Sequence, residues 1–287
     1  MQELAPHIYL ETAYPGVALG AINWPHGLIL VDAPFRAEDA RSWRSALINQ
    51  GGGVDRLLVN LDAHLDRTLG VRAMECTVVG HEKMAQVFRN RPISFKAQSN
   101  ETGAEWELYN NLGSIRWAPP EITFTHQMYI HWDNYPLLLE HRPGPTAGAI
   151  WVVLPEHHIV FIGDAVTPGQ PPFLAGAHLP TWLDALQELL SPVYQNYLIV
   201  SSRGGLIHHD EIRKQMRFLQ NVQQAIALLA QEDAPPEKTA HLVREFADQF
   251  DAPPDRAALY QQRLIYGLHQ YYIRQHYPVS GEVTEEE

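Results

Sequence analysis

Aspartate, histidine and arginine residues lie at the ends of apolar segments of this chain. Asp62, His64, Asp66 and Arg67 directly follow one apolar stretch, and Asp164 ends another in a Gly-Asp pair. Carboxylates and imidazoles are common ligands of divalent metals, whereas a guanidinium pairs with carboxylates through forked hydrogen bonds. These residue types suit either a metal site or a set of arginine–carboxylate ion pairs.

Short apolar runs separated by turns predict the elements that would position these residues. Strands are expected at residues 7–10, 17–22, 27–32, 56–60, 77–79, 122–132, 137–142, 149–154, 159–162 and 197–201. Helices are expected at residues 36–50, 82–89, 105–112 and 181–190, the last opened by a capping box at Thr181. The pattern suits two sheets packed face to face with helices outside.

The chain is expected to be helical from about His208 onward. Apolar residues keep a helical spacing at Ile212, Met216, Leu219, Val222, Ile226 and Leu229. Proline pairs at 235–236 and 253–254 separate two further helices. We therefore expect a sandwich domain over residues 1–207, a helical extension over 208–278 and a flexible acidic tail over 279–287.

The order of these passages resembles the metallo-β-lactamase superfamily over roughly residues 4–219. Residues 15–17 and the strand at 27–32 are similar to the family's opening hairpin, and residues 79–82 resemble its strand-to-helix junction after the first metal loop. The family's metal motifs correspond to residues 60–67, 144–148 and 163–164. The resemblance implies a four-layer αββα sandwich and a hydrolase ancestry, typically on esters, thioesters, lactams or phosphodiesters.

The resemblance also implies a metal-ligand set, and the first motif keeps only part of it. The family's H-x-H-x-D-H motif has Asp62 in place of the first histidine and Arg67 in place of the last. His64 and Asp66 are kept. Because Asp62 could still bind a metal, three potential ligands remain in this segment.

The later motifs have lost further ligands. Pro145 stands where the family has a histidine, Asp164 is the kept bridging aspartate, and Arg203 occupies the final ligand position. A two-metal hydrolytic site holds both ions about 3.5–4 Å apart with a water between them. With one imidazole left, we expect that such a site does not form.

Our first hypothesis is that guanidinium groups have taken the place of the metals. Three converging carboxylates would be costly to bury unpaired, and Arg67 and Arg203 could neutralise them. The cleft would then need no cofactor and would bind a small, anionic ligand or serve as an interaction module. Arg67, Arg203 and His178 are the expected binding residues; His178 falls where the family places a loop near the pocket.

Two alternatives stay open. In the first, Asp62, His64 and Asp164 hold one divalent metal in a reduced hydrolase site, and Asp66, itself a further candidate ligand, acts as the general base on a bound water. Carboxylate-rich ligation would favour manganese, iron or magnesium over zinc. In the second, the chain has a structural or assembly role, and its C-terminal helices form a homo-oligomer.

Composition narrows the remaining classes. The net charge is −12 without a basic run, which disfavours nucleic acid and anionic membranes as partners. Cys76 is the only cysteine, so an intrachain disulfide is excluded, and the N-terminus has no signal sequence, so we expect a cytoplasmic protein. The chain has no G-x-S-x-G elbow, P-loop or G-x-G-x-x-G motif, which removes support for a serine hydrolase or a nucleotide enzyme.

Overall fold

The computed structural model describes residues 1–50, 53–92, 94–96, 102–109 and 112–277. Within these ranges a seven-stranded sheet has the spatial order β1 (Gln2–Ala5), β2 (Ile8–Glu11), β3 (Leu19–Asn23), β4 (Gly27–Val31), β5 (Asp55–Val59), β6 (Thr77–His81) and β9 (Ile122–Phe124). The strands from β1 to β4 pair antiparallel, and those from β4 to β9 pair parallel.

A second sheet faces the first. Its six strands are β10 (Gln127–Ile130), β11 (Leu137–His141), β12 (Ile150–Leu154), β13 (Ile159–Phe161), β14 (Leu198–Ser201) and β15 (Gly205–Ile207). Only β13 and β14 pair parallel; the other neighbours are antiparallel. A separate two-stranded sheet pairs β7 (Ser94–Lys96) antiparallel with β8 (Ser114–Arg116).

Helices cover the outer faces of the two sheets. They are α1 (Ala37–Ile48), α2 (Leu65–Thr68), α3 (Glu82–Asn90), α4 (Leu179–Leu189), α5 (His209–Gln231), α6 (Ala240–Ala247) and α7 (Ala257–His276). The long helices α1 and α4 cross between parallel strands, β4 to β5 and β13 to β14, as parallel pairing requires. Among the described residues, no helix is both long and apolar enough to cross a membrane.

The side chains of β4 show how four layers arise from one alternating pattern. Ile29 and Val31 lie in the core between the sheets, whereas Leu28 and Leu30 pack outward with Trp43 of α1. Successive side chains of a strand point to opposite faces, so a strand that is apolar throughout needs cover on both sides. This arrangement confirms the predicted αββα sandwich.

The C-terminal helices pack on the outer face of the second sheet. Leu219 of α5 and Leu264 and Tyr272 of α7 share one buried cluster with Trp182 of α4. The helical character predicted after residue 208 is therefore present through residue 276. The division into a domain and an extension stays a prediction, and the predicted tail at 279–287 lies outside the described residues.

Two predicted elements were wrong in extent. The predicted strand at 122–132 is two strands, because the chain leaves the first sheet after Phe124 and enters the second at Gln127. The predicted helix at 105–112 is a 3-10 turn over Glu105–Leu108. The carboxylate of Asp66 accepts the first two backbone amides of that turn.

Further differences concern missing strands and one helix start. The strands β1, β7, β8 and β15 were not predicted, and β1 and β15 lie at the edges of the two sheets. The predicted capping box at Thr181 is also wrong. The helix begins at Leu179, and the capping residue is His178, whose Nδ1 accepts from the backbone amide of Thr181.

Candidate functional site

A charged cluster lies at the ends of strands from both sheets. Asp32 directly follows β4, and residues 60–67 form the loop and the short helix α2 after β5. Asp164 lies in the turn after β13, and Arg203 lies in the turn after β14. These four strands take part in the parallel pairs, so their carboxyl ends meet at one edge of the sandwich.

Arg67 is the centre of this cluster, and its side chain is fully buried. Its Nε lies 3.1 Å from Oδ1 of Asp62, and its Nη1 lies 3.3 Å from Oδ2 of Asp32. Its Nη2 contacts Oδ1 of Asp164, and Nη1 also donates to Oγ of Ser202 at 3.3 Å. Every nitrogen of this guanidinium therefore faces a carboxylate.

Arg203 forms a second set of ion pairs with a side chain that is 2% exposed. Its Nε and Nη2 each donate to one oxygen of Asp164 at 3.0 Å, which is a forked pair. Its Nη1 donates to Oδ2 of Asp66 at 2.5 Å and to the carbonyl of Gly16 at 2.8 Å. Asp164 thus contacts both arginines. By the resemblance stated above, it corresponds to the aspartate that bridges two metals in the family.

The carboxylates also fix the surrounding backbone. Asp66 accepts the amides of Glu105 and Trp106 at 3.1 and 2.8 Å. Asp62 accepts the amide of His64 at 2.9 Å. These hydrogen bonds tie the loop after β5 to the Glu105–Leu108 turn, so the carboxylates stabilise local structure as well as charge.

His64 is neutral and faces donors on one side. Its Nδ1 accepts from the amide of Asp66 at 3.2 Å and lies 3.1 Å from Nη2 of Arg203, so the proton belongs on Nε2. Burial and the charge of Arg203 lower the pKa of His64 to about 3. Its ring contacts the ring of Phe173, with 4.3 Å between centroids.

The pKa values of the clustered carboxylates depend on their burial and on the charges of the two arginines. Burial raises the pKa of Asp164, but Arg203 and Arg67 outweigh it and hold that pKa well below its ordinary value. The pKa of Asp66 is lowered in the same way, since Arg203 outweighs burial. For Asp62, burial raises the pKa despite Arg67.

The structure adds Asp32 to the set that the sequence predicted. Burial raises its pKa to about 6, against the opposing charge of Arg67. Four carboxylates thus surround two guanidinium groups, so the fully ionised cluster carries a charge of −2. The signal was visible in the sequence as an aspartate that closes an apolar strand.

The residues present do not fit a two-metal site. Among the residues that the structure describes, no group of three or more histidine, cysteine, aspartate or glutamate side chains is arranged to hold a metal. The guanidinium of Arg67 lies between the carboxylates, Nδ1 of His64 is engaged, and Pro145 offers no side-chain donor. No catalytic step through a metal follows from this geometry.

The structure brings together Asp62, His64, Asp66, Arg67, Asp164 and Arg203, and it leaves His178 outside the cluster. His178 is exposed and caps α4, with its Nδ1 within 2.9 Å of the hydroxyl of Thr181.

Beside the cluster lies a chamber of about 60 Å³. Its lining joins the charged loop to the C-terminal helix α7, and includes His64, Pro145, Thr146, Phe173, Arg263 and Gly267. Phe173 lies between two guanidinium groups, with its ring centroid 4.8 Å from Arg203 and 4.0 Å from Arg263. Sequence reasoning missed Phe173 and Arg263, and neither lies in a motif.

The fold is similar to several solved structures. A metallo-beta-lactamase family protein from Thermus thermophilus matches with a TM-score of 0.62 and 18% identity, over 95% of each chain. A metallo-beta-lactamase from Pontibacter korlensis matches with a TM-score of 0.54 and 20% identity, over 75% of this chain and 93% of that one. A stereoselective inverting sec-alkylsulfatase from Pseudomonas sp. matches with a TM-score of 0.65 and 14% identity, over 97% of this chain and 50% of that one.

These likenesses identify the fold. No sequence model of a protein family matches the chain, and no curated protein matches it by sequence. The chain spans about half the length of the alkylsulfatase. The chain has the metallo-β-lactamase fold, which confirms the resemblance stated from its motifs.

Proposed function

We propose that this protein descends from metal-dependent hydrolases, has replaced its two metals by two arginines, and uses the old cleft to bind a small ligand. The fold supports the ancestry. The observation that carries the rest is Arg67, a buried guanidinium whose three nitrogens each lie at a different carboxylate.

Displacing this arrangement by a metal would be costly. An ion that bound Asp164 would have to break its contacts with both Arg67 and Arg203. Breaking a buried ion pair costs roughly 3–5 kcal/mol, because an uncompensated charge stays behind. Two released guanidinium groups would also lie beside the added cations, so the electrostatic energy opposes metal entry twice.

The same contacts decide where a ligand binds. Arg67 and Arg203 are already ion-paired with carboxylates, and the cluster that contains them is net negative when fully ionised. A free anion would have to compete with carboxylates that are already in place. The arginines therefore form the floor of the cleft, and the ligand occupies the adjoining chamber next to His64 and Phe173.

The C-terminal helices contribute to this chamber rather than standing apart from it. Arg263, Tyr266 and Gly267 of α7 line it together with residues of the sandwich. Assembly into a homo-oligomer through these helices stays a prediction, which size-exclusion chromatography can test. The cytoplasmic location and the lack of a nucleic-acid partner also stay predictions.

Thermal unfolding with added metals tests the proposal. A ligand present at 100 times its Kd stabilises the folded state by about 2.7 kcal/mol. We expect no rise in Tm with zinc, manganese, iron or magnesium, and no fall with a chelator. A rise that is lost in Asp164→Ala would instead support a hydrolase with one metal. The exposed pair of Arg213 and Asp210 offers a control, Asp210→Ala, that should leave any metal response unchanged.

A further inference from the structure

Arg263 differs from the other two arginines beside the chamber, because its partners are uncharged. It lies on α7 and is 2% exposed. Its Nε donates to the carbonyl of Gly103 at 2.8 Å, and its Nη1 donates to Oε1 of Gln170 and to the carbonyl of Pro171 at 2.8 and 2.9 Å. Within the described part of the chain, no carboxylate lies within 4 Å of its guanidinium nitrogens, whereas Arg67 has three such carboxylates and Arg203 has two.

A buried cation without a counter-ion is unfavourable, because burial removes hydration that only an opposite charge replaces in full. Burial, with the nearby charge of Arg203, lowers the pKa of Arg263 to about 10. The face of Phe173, with its centroid 4.0 Å away, supplies a part of the missing compensation, and the charges of Asp66 and Asp164 supply another part from beyond ion-pair distance. An anion beside this guanidinium would supply the rest.

The chamber next to Arg263 provides the space for such an anion. Among the residues that the structure describes, a buried hydroxyl, Oγ1 of Thr146, has no hydrogen-bond partner. It shares the lining with Thr102, with His64, whose proton lies on Nε2, and with Arg263, while the remaining walls are apolar. The apolar walls include Leu65, Ala104, Phe173, Leu174 and Ala175.

The volume of the chamber limits the size of the ligand. One water needs roughly 10–15 Å³ on the same measure. A chamber of about 60 Å³ therefore holds about four to six non-hydrogen atoms. Few donors line it, so it suits a planar carboxylate with two oxygens better than a tetrahedral dianion with four.

We propose that the chamber binds a small monocarboxylate of about four to six non-hydrogen atoms, with its carboxylate at Arg263 and its short apolar part against the chamber wall. This inference rests on the proposed function and names the class of its ligand. Acetate, propionate and butyrate cover the size range. The charge of Arg263 favours an anion over a neutral ligand, and the apolar wall determines which chain length binds best.

Isothermal titration of the full chain with these three acids tests the proposal, at constant ionic strength and near neutral pH. We expect saturable binding that is strongest for propionate or butyrate. Propionamide has the size and shape of propionate without its charge, and we expect it to bind at least about tenfold more weakly. Equal affinity for propionamide and propionate, or no saturation with any of the acids, would overturn the proposal.

Substitutions in and next to α7 test whether the acid binds at Arg263. Arg263→Gln should weaken propionate binding by about tenfold or more, whereas Arg263→Lys should keep part of it, since the charge remains. Arg256→Gln is the matched control, because this arginine lies before the same helix, pairs with Glu105 and is absent from the chamber lining. Unchanged propionate binding in a folded Arg263→Gln would contradict the assignment.

A change at Gly267 covers the case in which Arg263→Gln fails to fold. A Cβ at this position would lie 3.2 Å from Cβ of Leu174 in the chamber wall, so Gly267→Ala narrows the space while favouring the helix. We expect the preferred acid to shift from butyrate toward acetate. An unshifted preference would place the ligand elsewhere. Bound metal would refute the proposed function without abolishing this preference, so the two failures are distinguishable.

Discussion

Replacing Arg203 by methionine removes a guanidinium from between two buried carboxylates. Asp66 and Asp164 are 0% and 3% exposed in their side chains, and both would keep their charge at neutral pH. Removing one partner of a buried ion pair costs roughly 3–5 kcal/mol. Because Asp164 keeps Arg67, we expect about 4 kcal/mol for Arg203→Met rather than twice that amount.

The loss should be visible in thermal unfolding followed by circular dichroism. At roughly 2–4 °C per kcal/mol for a domain of 150–250 residues, Arg203→Met should lower Tm by about 8–16 °C. Arg213→Met is the control, since Arg213 and Asp210 form an exposed pair on α5, and its Tm should change by less than about 2 °C.

The effect should also depend on pH with a definite sign. In the wild type, Arg203 outweighs burial and lowers the pKa of Asp66 and of Asp164, so their stabilisation is present above the unfolded value and lost as pH falls through the folded one. In Arg203→Met, no guanidinium opposes the effect of burial on the pKa of Asp66. Protonation of Asp66 then removes the cost of burying its charge. The difference in unfolding free energy should be largest near neutral pH and shrink below about pH 5.

The reasoning would be refuted by a loss below about 1 kcal/mol, or by a loss that is the same at neutral and acid pH. The double variant Arg203→Met with Asp164→Asn separates charge from packing. It should be more stable than the sum of the two single changes predicts, because it removes both the cation and one carboxylate.

Three further changes test other parts of the structure. Arg203→His restores an imidazole beside Asp164, so added zinc should raise its Tm by several degrees while that of the wild type is unchanged. The ring of His81 stacks on that of His141 at 3.7 Å, and burial lowers the pKa of His81 to about 4. The free energy of unfolding should therefore fall as pH drops from about 6.5 to 4, and His81→Gln should reduce this pH dependence. Trp182→Phe removes a buried donor to the carbonyl of Ala165 at 2.8 Å and should cost about 1–3 kcal/mol in urea unfolding.

The apolar strand pattern was enough to predict two packed sheets, and the motif resemblance at the strand ends predicted most of the charged cluster. Strands such as β4 and β12 are apolar over their whole length, so the sequence shows both their extent and the need for cover on both faces. Asp62, Asp66 and Asp164 lie within short segments that follow strands, and strand ends fix where they meet. The chain's departure at Phe124 from one sheet to the other depends on contacts between sheets, which no local pattern encodes.

The chamber could not be predicted for the same reason. Arg263 is about 200 residues from His64 in the chain, and the two meet only because α7 packs beside the charged loop. A helical arginine with apolar neighbours is ordinarily a solvated side chain. Only the packing shows that Arg263 is buried, has uncharged hydrogen-bond partners and lines the chamber.

Metal content tests the central claim most directly. The full chain, purified without chelator and soaked separately in zinc, manganese and iron, can be analysed by inductively coupled plasma mass spectrometry, with Arg203→His treated in parallel. If the guanidinium groups of Arg67 and Arg203 have replaced the metals, the wild type should hold less than about a tenth of an equivalent and the variant clearly more. One or two equivalents in the wild type, lost in Asp164→Ala, would contradict the account.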